Sequence, residues 1–385
     1  MRVASLVYNN FTNDSRVEKQ ALSLSNSGFD LTVFGLWKKG LHKNENKAGF
    51  RIQRIKIHSS FLKGASGRVI SFLEFSIKVS WRIRQVDVVH CHDFHPLPAM
   101  IVSKLLFGSL FSVVYDAHEF ESKKLGLGKF TSLCIGILER ISVKFIDGFI
   151  TVSSSILNNY ENLFPKIPKL VIFNCPPLSE IKETDLLKSI LNIRAQSVLL
   201  LYQGGFMPGR SIERLINAFE GTKEKNLDLV FLGYPATKAL AQKVFMKILE
   251  AREQNERIHY HESVSSKILN EYTCSASIGI CLIEDLCLSY KFCLPNKFFE
   301  YAMAGLPILV SDLPEMRKLV EKYDCGVVCE SLTPDGIVNG LKKLLSRDLV
   351  KLGKNARKMA EDHSWEIQEK KLLRLYDKVL EKKAV

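Results

Sequence analysis

The feature that most constrains this chain is an alternation, repeated twice along its 385 residues, of short unbroken apolar runs with longer amphipathic stretches. Before residue 155 the runs are RVASLVY, DLTVFGL, RIQRIKI, DVVHCH, FSVVYD and DGFITV. After residue 195 they resume as SVLLLYQG, DLVFLG, RIHYH, SIGICLI, LPILVSD and CGVVCE. Runs of this kind are strands buried on both faces, and a helical pattern between successive runs makes the sheet parallel. The expected class is therefore α/β, with two doubly wound domains whose parallel sheets face each other across a cleft. The length agrees, at roughly 150 residues per domain. We place the first domain at residues 1–180 and the second at 190–363, with PKLVIFNCPPL closing the first and the charged segment SEIKETDLLKSILN leading into the second. The tail, HSWEIQEKKLLRLYDKVLEKK, reads as a long helix over residues 364–385, either confined to the second domain or crossing back to the first.

An apolar fraction of 46% with 25% charged residues is that of a globular chain and excludes global disorder. The N-terminus lacks the apolar core of a signal peptide, and the long apolar stretch from Leu97 to Tyr115 is broken by Lys104 and Gly108 into a helix and a strand. Nine cysteines without a CxxC pair or zinc spacing point to a reduced, cytoplasmic chain with no structural metal. The net charge of +13 favours anionic partners. Nucleic acid is not expected, because the basic residues have no interleaved aromatic platform. The stretch from Leu62 to Gln85 mixes Lys63, Arg68, Lys78, Arg82 and Arg84 with Phe72, Phe75 and Trp81. It reads as a helix packed on the first sheet, with a basic side available for peripheral contact with an anionic membrane.

Ligands of doubly wound domains gather at the carboxyl ends of the strands. In LPNKFFEYAMAGLPILVSD, residues 294–312, Pro295 and Asn296 start a short helix that ends at Gly305. Lys297 falls in the first turn, where the helix dipole disfavours a cation unless an anion is nearby, so the pattern fits a bound phosphate. Asn296, Lys297 and Glu300 share a face, and Glu300 is placed to accept ribose hydroxyls. An ordinary helix start with a Lys–Glu pair has the same spacing. In LLYQGGFMPGRSIERLINAF, residues 199–218, Gly204, Gly205 and Gly209 let a phosphate approach the backbone beside Arg210, although glycines also serve such turns for steric reasons alone. In the first domain, VVHCHDFHP and VVYDAHEF end strands. His118, with Asp116 and Glu119 beside it, suits sugar hydroxyls or proton transfer. His90, His92, Asp93 and His95 follow a strand and turn without a second cluster to complete a metal site. Asn13 or Asp14 caps the helix after the first strand and sets Arg16 in its first turn, for an acceptor phosphate or a neighbouring carboxylate.

Taken in order, NDSRVEKQALSL, DVVHCHD, YDAHEF, VIFNCPP, YQGGFMPGRSIERLI, PNKFFEYAMAGLPILVSDLPEM and SWEIQEKKLLRLY resemble the GT-B-fold glycosyltransferases of family 4 over the full length of the chain. The resemblance implies transfer of a hexosyl or related sugar from a nucleoside-diphosphate sugar to an acceptor hydroxyl, with retention, in polysaccharide or glycolipid synthesis. It implies His118 and Glu300 as the catalytic pair, Gly205, Arg210 and Lys297 on the donor diphosphate, and Asn296 and Glu300 on the ribose or sugar. Asn13, Arg16 and Asp93 fall on the side of a sugar or lipid-linked saccharide acceptor. No metal or other cofactor is implied, since no DxD sequence is present. The basic excess points to a lipid-linked acceptor at the inner face of a membrane, so the expected location is cytoplasmic and peripheral on that face. Two positions depart from the family pattern: Phe292 stands eight residues before Glu300, where an earlier glutamate is usual, and NNFTNDSR replaces a glycine-rich loop. The competing readings are a sugar-nucleotide epimerase of the same fold and a non-catalytic membrane-associated binding protein with a degenerate site.

Overall fold

The computed structural model describes residues 1–47, 49–62, 64–235 and 239–384, so Lys63 of the basic stretch lies outside the described residues. Two compact units emerge: Met1–Phe173 together with Gln368–Val385, and Asn174–Ile367.

The first unit runs β1 (Arg2–Leu6), α1 (Ser15–Asn26), β2 (Asp30–Leu36), β3 (Asn44–Lys47), β4 (Phe50–Ile55), α2 (Gly64–Arg82), β5 (Val88–His92), α3 (Leu97–Phe107), β6 (Ser112–Ala117), α4 (Lys129–Ser142), β7 (Gly148–Thr151), α5 (Ser154–Tyr160) and β8 (Lys169–Val171). The sheet order is β3-β4-β2-β1-β5-β6-β7-β8, parallel except where β3 pairs antiparallel with β4. Every residue of β5 and β6 is buried, which is why their sequences show no polar alternation. Right-handed crossovers put α2, α3 and α4 on one face, because the chain steps in one direction from β4 through β5 and β6 to β7. The step from β1 to β2 goes the other way and puts α1 on the opposite face. Asp14, not Asn13, caps α1, its carboxylate accepting from the Val17 amide.

The second unit continues with α6 (Leu186–Leu191), β9 (Val198–Phe206), α7 (Ile212–Gly221), β10 (Leu227–Pro235), α8 (Ala239–Gln254), β11 (Ile258–Glu262), α9 (Leu269–Cys274), β12 (Ile278–Cys281), α10 (Leu288–Lys291), α11 (Asn296–Met303), β13 (Ile308–Ser311), α12 (Pro314–Tyr323), β14 (Gly326–Cys329), α13 (Pro334–Leu345), α14 (Leu349–His363) and α15 (Trp365–Ala384). Its six strands lie in the order β11-β10-β9-β12-β13-β14, all parallel. Both sheets are Rossmann-like. The strand order reverses between β1 and β5 in the first unit and between β9 and β12 in the second, and such reversals are where this fold class binds ligands.

The division after Phe173 precedes the charged segment, because Asn174 already hydrogen-bonds Asn296 (2.6 Å) and the Leu178 amide reaches Glu366 (3.1 Å). Helix α15 begins in the second unit, where the Trp365 amide bonds to the Pro176 carbonyl at 3.1 Å, and from Gln368 onward it belongs to the first. Leu372, Leu375, Tyr376 and Val379 are buried there. Gly148 on β7 makes the room, since a Cβ at that position would stand 2.8 Å from Val379 Cγ2.

Candidate active site

In the second unit the arrangement is built on β9 and α11. Gly279 on β12 has no side chain, and the Tyr301 ring fills that place; a Cβ there would lie 2.3 Å from the ring. The Tyr301 hydroxyl accepts from the Gln203 amide at 2.8 Å and donates to the Ile280 carbonyl at 3.3 Å, which pins α11 to β9 and β12. Pinned in this way, α11 presents Lys297 and Glu300 to the end of β9. The Glu300 carboxylate accepts from Gln203 Nε2 at 2.5 Å, and Gln203 Oε1 accepts in turn from Thr273 Oγ1 at 2.9 Å.

Lys297 is 9% exposed and its ammonium sits 3.5 Å from the centroid of the Tyr202 ring. Among the described residues no carboxylate lies within ion-pair distance of it. Burial pushes its pKa down to about 7, and the nearby Arg210 charge adds to the effect. Arg210 stacks on Tyr290, its Cζ 4.7 Å from the ring centroid. Gly204 has φ +114°, a conformation natural to glycine, and a Cβ there would touch Lys297 Cε at 3.8 Å. Gly205 follows it, its carbonyl held by the Tyr202 hydroxyl at 3.1 Å. Two cations, a glycine turn and the N-terminus of α11 thus lie together at the end of β9, an arrangement whose electrostatics favour an anion. Asn296 is exposed at the first position of α11.

In the first unit the centre is Asp116, fully buried on β6. It accepts from Arg16 Nη2 (2.8 Å), Arg16 Nε (3.1 Å) and Gln20 Nε2 (2.7 Å). Arg16 Nη1 donates to the Ile172 carbonyl at 2.9 Å. Of the two uses open to Arg16 from sequence, the geometry shows the neighbouring carboxylate. His118 stands at the end of β6, with Nε2 3.4 Å from Asp116 Oδ2 and 3.2 Å from His92 Nδ1, and with Nδ1 3.7 Å from Asp93 Oδ1. Burial alone lowers the pKa of this imidazole, but Asp93 and Asp116 outweigh it and hold it above the usual histidine value. Asp93 turns the chain after β5 with φ +63° and accepts from the His118 amide at 3.3 Å. Asn13 is exposed, and among the described residues no hydrogen bond joins it to this cluster.

His90, His92 and Asp116 hold their ligand atoms within 4.8 Å of one another. The Arg16 guanidinium already neutralises that carboxylate, Ser5 Oγ bonds His92 Nε2 (2.9 Å), and the Tyr376 hydroxyl bonds His90 Nδ1 (2.9 Å). A cation placed there would meet a fixed positive charge.

The two halves of the chain match different family descriptions: residues 183–361 match "Glycosyl transferases group 1", and residues 16–175 match "Glycosyltransferase Family 4". The chain is a glycosyltransferase. Its GT-B fold is shared with solved structures of low identity. Sucrose-phosphate synthase from Thermosynechococcus elongatus superposes with a TM-score of 0.80 at 15% identity, covering 99% of each chain. Anabaena HepE in complex with UDP-glucose gives 0.74 at 11% identity, over 98% of this glycosyltransferase and 99% of that chain. A glycosyltransferase from Rickettsia africae gives 0.72 at 13% identity, over 98% of each. No curated protein sequence matches it.

Sequence reasoning singled out Gly205, Arg210, Asn296, Lys297 and Glu300, and the fold gathers them at one strand end of this glycosyltransferase. It gathers His118, Arg16 and Asp93 in the other unit. It missed Tyr202 and Gln203, which hold Lys297 and Glu300. The available signal was their position directly before the glycine pair. Phe292, at the end of α10, brings no carboxylate, and the two nearby acids are engaged, Glu284 with Arg214 (3.2 Å) and Asp285 with Lys291 (3.1 Å).

Proposed function

We propose that this glycosyltransferase moves a hexosyl or related sugar from a nucleoside-diphosphate sugar, with a uridine donor the first to test, to an acceptor hydroxyl in polysaccharide or glycolipid synthesis. The observation that carries the reading is Lys297, a buried ammonium with no carboxylate at ion-pair distance among the described residues, set beside Arg210 at the N-terminal end of α11. A diphosphate satisfies all three. Anabaena HepE, of the same fold, is described in complex with UDP and with UDP-glucose.

In this reading the diphosphate lies on Lys297, Arg210 and the Gly204–Gly205 backbone, while Glu300, oriented by Gln203, accepts the ribose hydroxyls. His118 meets a hydroxyl of the transferred sugar, and Asp93 and Asn13 serve the sugar or lipid-linked saccharide acceptor. As the bond from the anomeric carbon to the phosphate oxygen breaks, the fixed cations stabilise the charge that develops on the leaving diphosphate. The acceptor oxygen bonds to the same face of the anomeric carbon, giving retention, and its proton passes to the departing phosphate oxygen. Charge neutralisation falls to side chains and helix amides, so the reading needs no divalent ion. The acceptor side is peripheral to an anionic membrane.

The test is thermal unfolding with a panel of nucleoside diphosphates, in Mg²⁺ and in EDTA, beside Glu300→Ala. One diphosphate at about 100 times its dissociation constant should stabilise by about 2.7 kcal/mol in both media, and the variant should lose most of this. If no diphosphate stabilises the chain, the donor assignment falls. The anomeric configuration of the product, read by NMR, decides retention.

A further inference from the structure

We propose that the outer face of α2, α3 and α4 is a docking surface for an anionic lipid bilayer. This deepens the membrane part of the reading above by assigning it to particular residues. Helix α2 is apolar on two sides. Phe75, Val79 and Ile83 at its end are buried against the unit, whereas Val69, Leu73, Ile77 and Trp81, each four residues after the last, form a stripe that is half or more exposed. Helix α4 repeats the pattern, with Ile135 buried and Phe130, Leu133, Ile137 and Ile141 exposed. Between them, α3 ends in exposed Leu105 and Leu106, and Leu110 just beyond it is 83% exposed. The three helices share one face of the sheet, and α3 packs against both α2 and α4, so the stripes adjoin. A water-facing helix normally carries polar residues at such positions, and contiguous apolar surface on this scale marks an interaction site.

Charge selects the occupant. Arg68 and Arg82 on α2 and Lys129 and Arg140 on α4 are exposed. The helices contain two acids, and both are turned inward: Glu74 onto the His58 and Ser59 amides and Lys78, and Glu139 onto the Tyr115 and Tyr160 hydroxyls. Exposed apolar stripes with an all-positive polar margin match the interface of a bilayer that contains anionic lipid. A second copy of the chain would instead bring the same four cations against these. At the end of α2, Arg84 stacks on Trp81, its Cζ 4.2 Å from the ring centroid, which gives the stripe an amphipathic ring of the kind that sits at headgroup level. Among the described residues no helix is long and apolar enough to cross a membrane.

The experiment is co-sedimentation of the full-length chain with vesicles of phosphatidylcholine alone or mixed equally with phosphatidylglycerol, without any sugar donor. Binding is expected to the mixed vesicles, and to weaken in about 0.5 M salt as the charges are screened. The double variant Ile77→Glu, Phe130→Glu should bind at least about tenfold less. Its unchanged melting temperature and diphosphate response show that it is folded. The emission of the chain should move to the blue on binding, and Trp81→Phe should remove that change. Absence of binding to the anionic vesicles, or equal binding by the double variant, overturns the proposal. So does self-association of the parent chain that the double variant abolishes in the absence of lipid binding, since the face then joins two copies. Because no donor is present, any of these results leaves the diphosphate reading where its own test puts it.

Discussion

At the scale of single residues, Lys297 makes the sharpest claim. An ordinary lysine titrates near about 10.4, and burial brings this one down to about 7. Because the folded-state value is the lower one, the unfolded chain holds the proton more tightly between the two values. The lysine therefore costs stability most below pH 7, and the cost fades as pH rises from about 7 towards about 10.4. A bound diphosphate reverses the preference by favouring the ammonium. At pH 8 the free site is mostly neutral and the occupied site charged, so binding of UDP takes up close to one proton, and affinity falls by up to about tenfold per pH unit above 7. Calorimetric titration at pH 8 in buffers of different ionisation heat measures this uptake directly, and Lys297→Met should abolish it. An enthalpy independent of buffer would mean that the ammonium is charged before the nucleotide arrives. Arg16 shows the opposite use of a buried cation. Its guanidinium is spent on Asp116, 100 residues away, and the pair fixes the strand end from which His118 projects.

At the scale of elements, the twelve apolar runs read from the sequence all become strands; central ones such as β5, β6, β12 and β13 are buried on both faces and so have no reason to alternate, whereas β4, nearer the edge, does alternate. The two strands not read among those runs fail for a physical reason. β3 is NENK, a polar edge strand without an apolar residue, paired with β4 and tied down by the Glu45–Arg54 and Lys47–Glu18 ion pairs, and β8 is half-buried throughout. The ends of α11 were legible from Pro295 and Gly305, and so was the shared face of Lys297 and Glu300. The supports of that face were not legible, because the Gln203–Glu300 bond joins residues 97 apart that only the sheet brings together. The home of α15 was equally open from periodicity, since its apolar side suits either unit, and the deciding partner is a residue with no side chain. Gly148→Leu should therefore unseat the end of α15 from β7 and lower stability by about 1–3 kcal/mol or more through overpacking against Val379 and Leu375. Chemical denaturation checks this, and a variant as stable as the parent would show that the helix shifts freely on the strand.

At the scale of the whole molecule, the sequence repeats one architecture, and each copy has its own sheet and its own core. In the second unit Tyr202, Phe206, Phe231 and Ile280 belong to a cluster composed of that unit's residues alone. The residues assigned to the diphosphate are confined to the same unit, so nucleotide binding should stabilise that unit rather than the chain as a whole. Two units of this kind need not melt together, and scanning calorimetry should resolve two transitions. UDP at about 100 times its dissociation constant should raise one of them by about 5–10 °C, from about 2.7 kcal/mol spread over a unit of this size. Gly148→Leu identifies the other, since the glycine and the helix end that it accommodates both lie in the first unit. The variant should lower the transition that UDP leaves in place and spare the one that UDP moves. If a single transition responds to both, folding of the two units is coupled, and the energy of nucleotide binding reaches the unit that carries His118 as well as the one that carries Lys297.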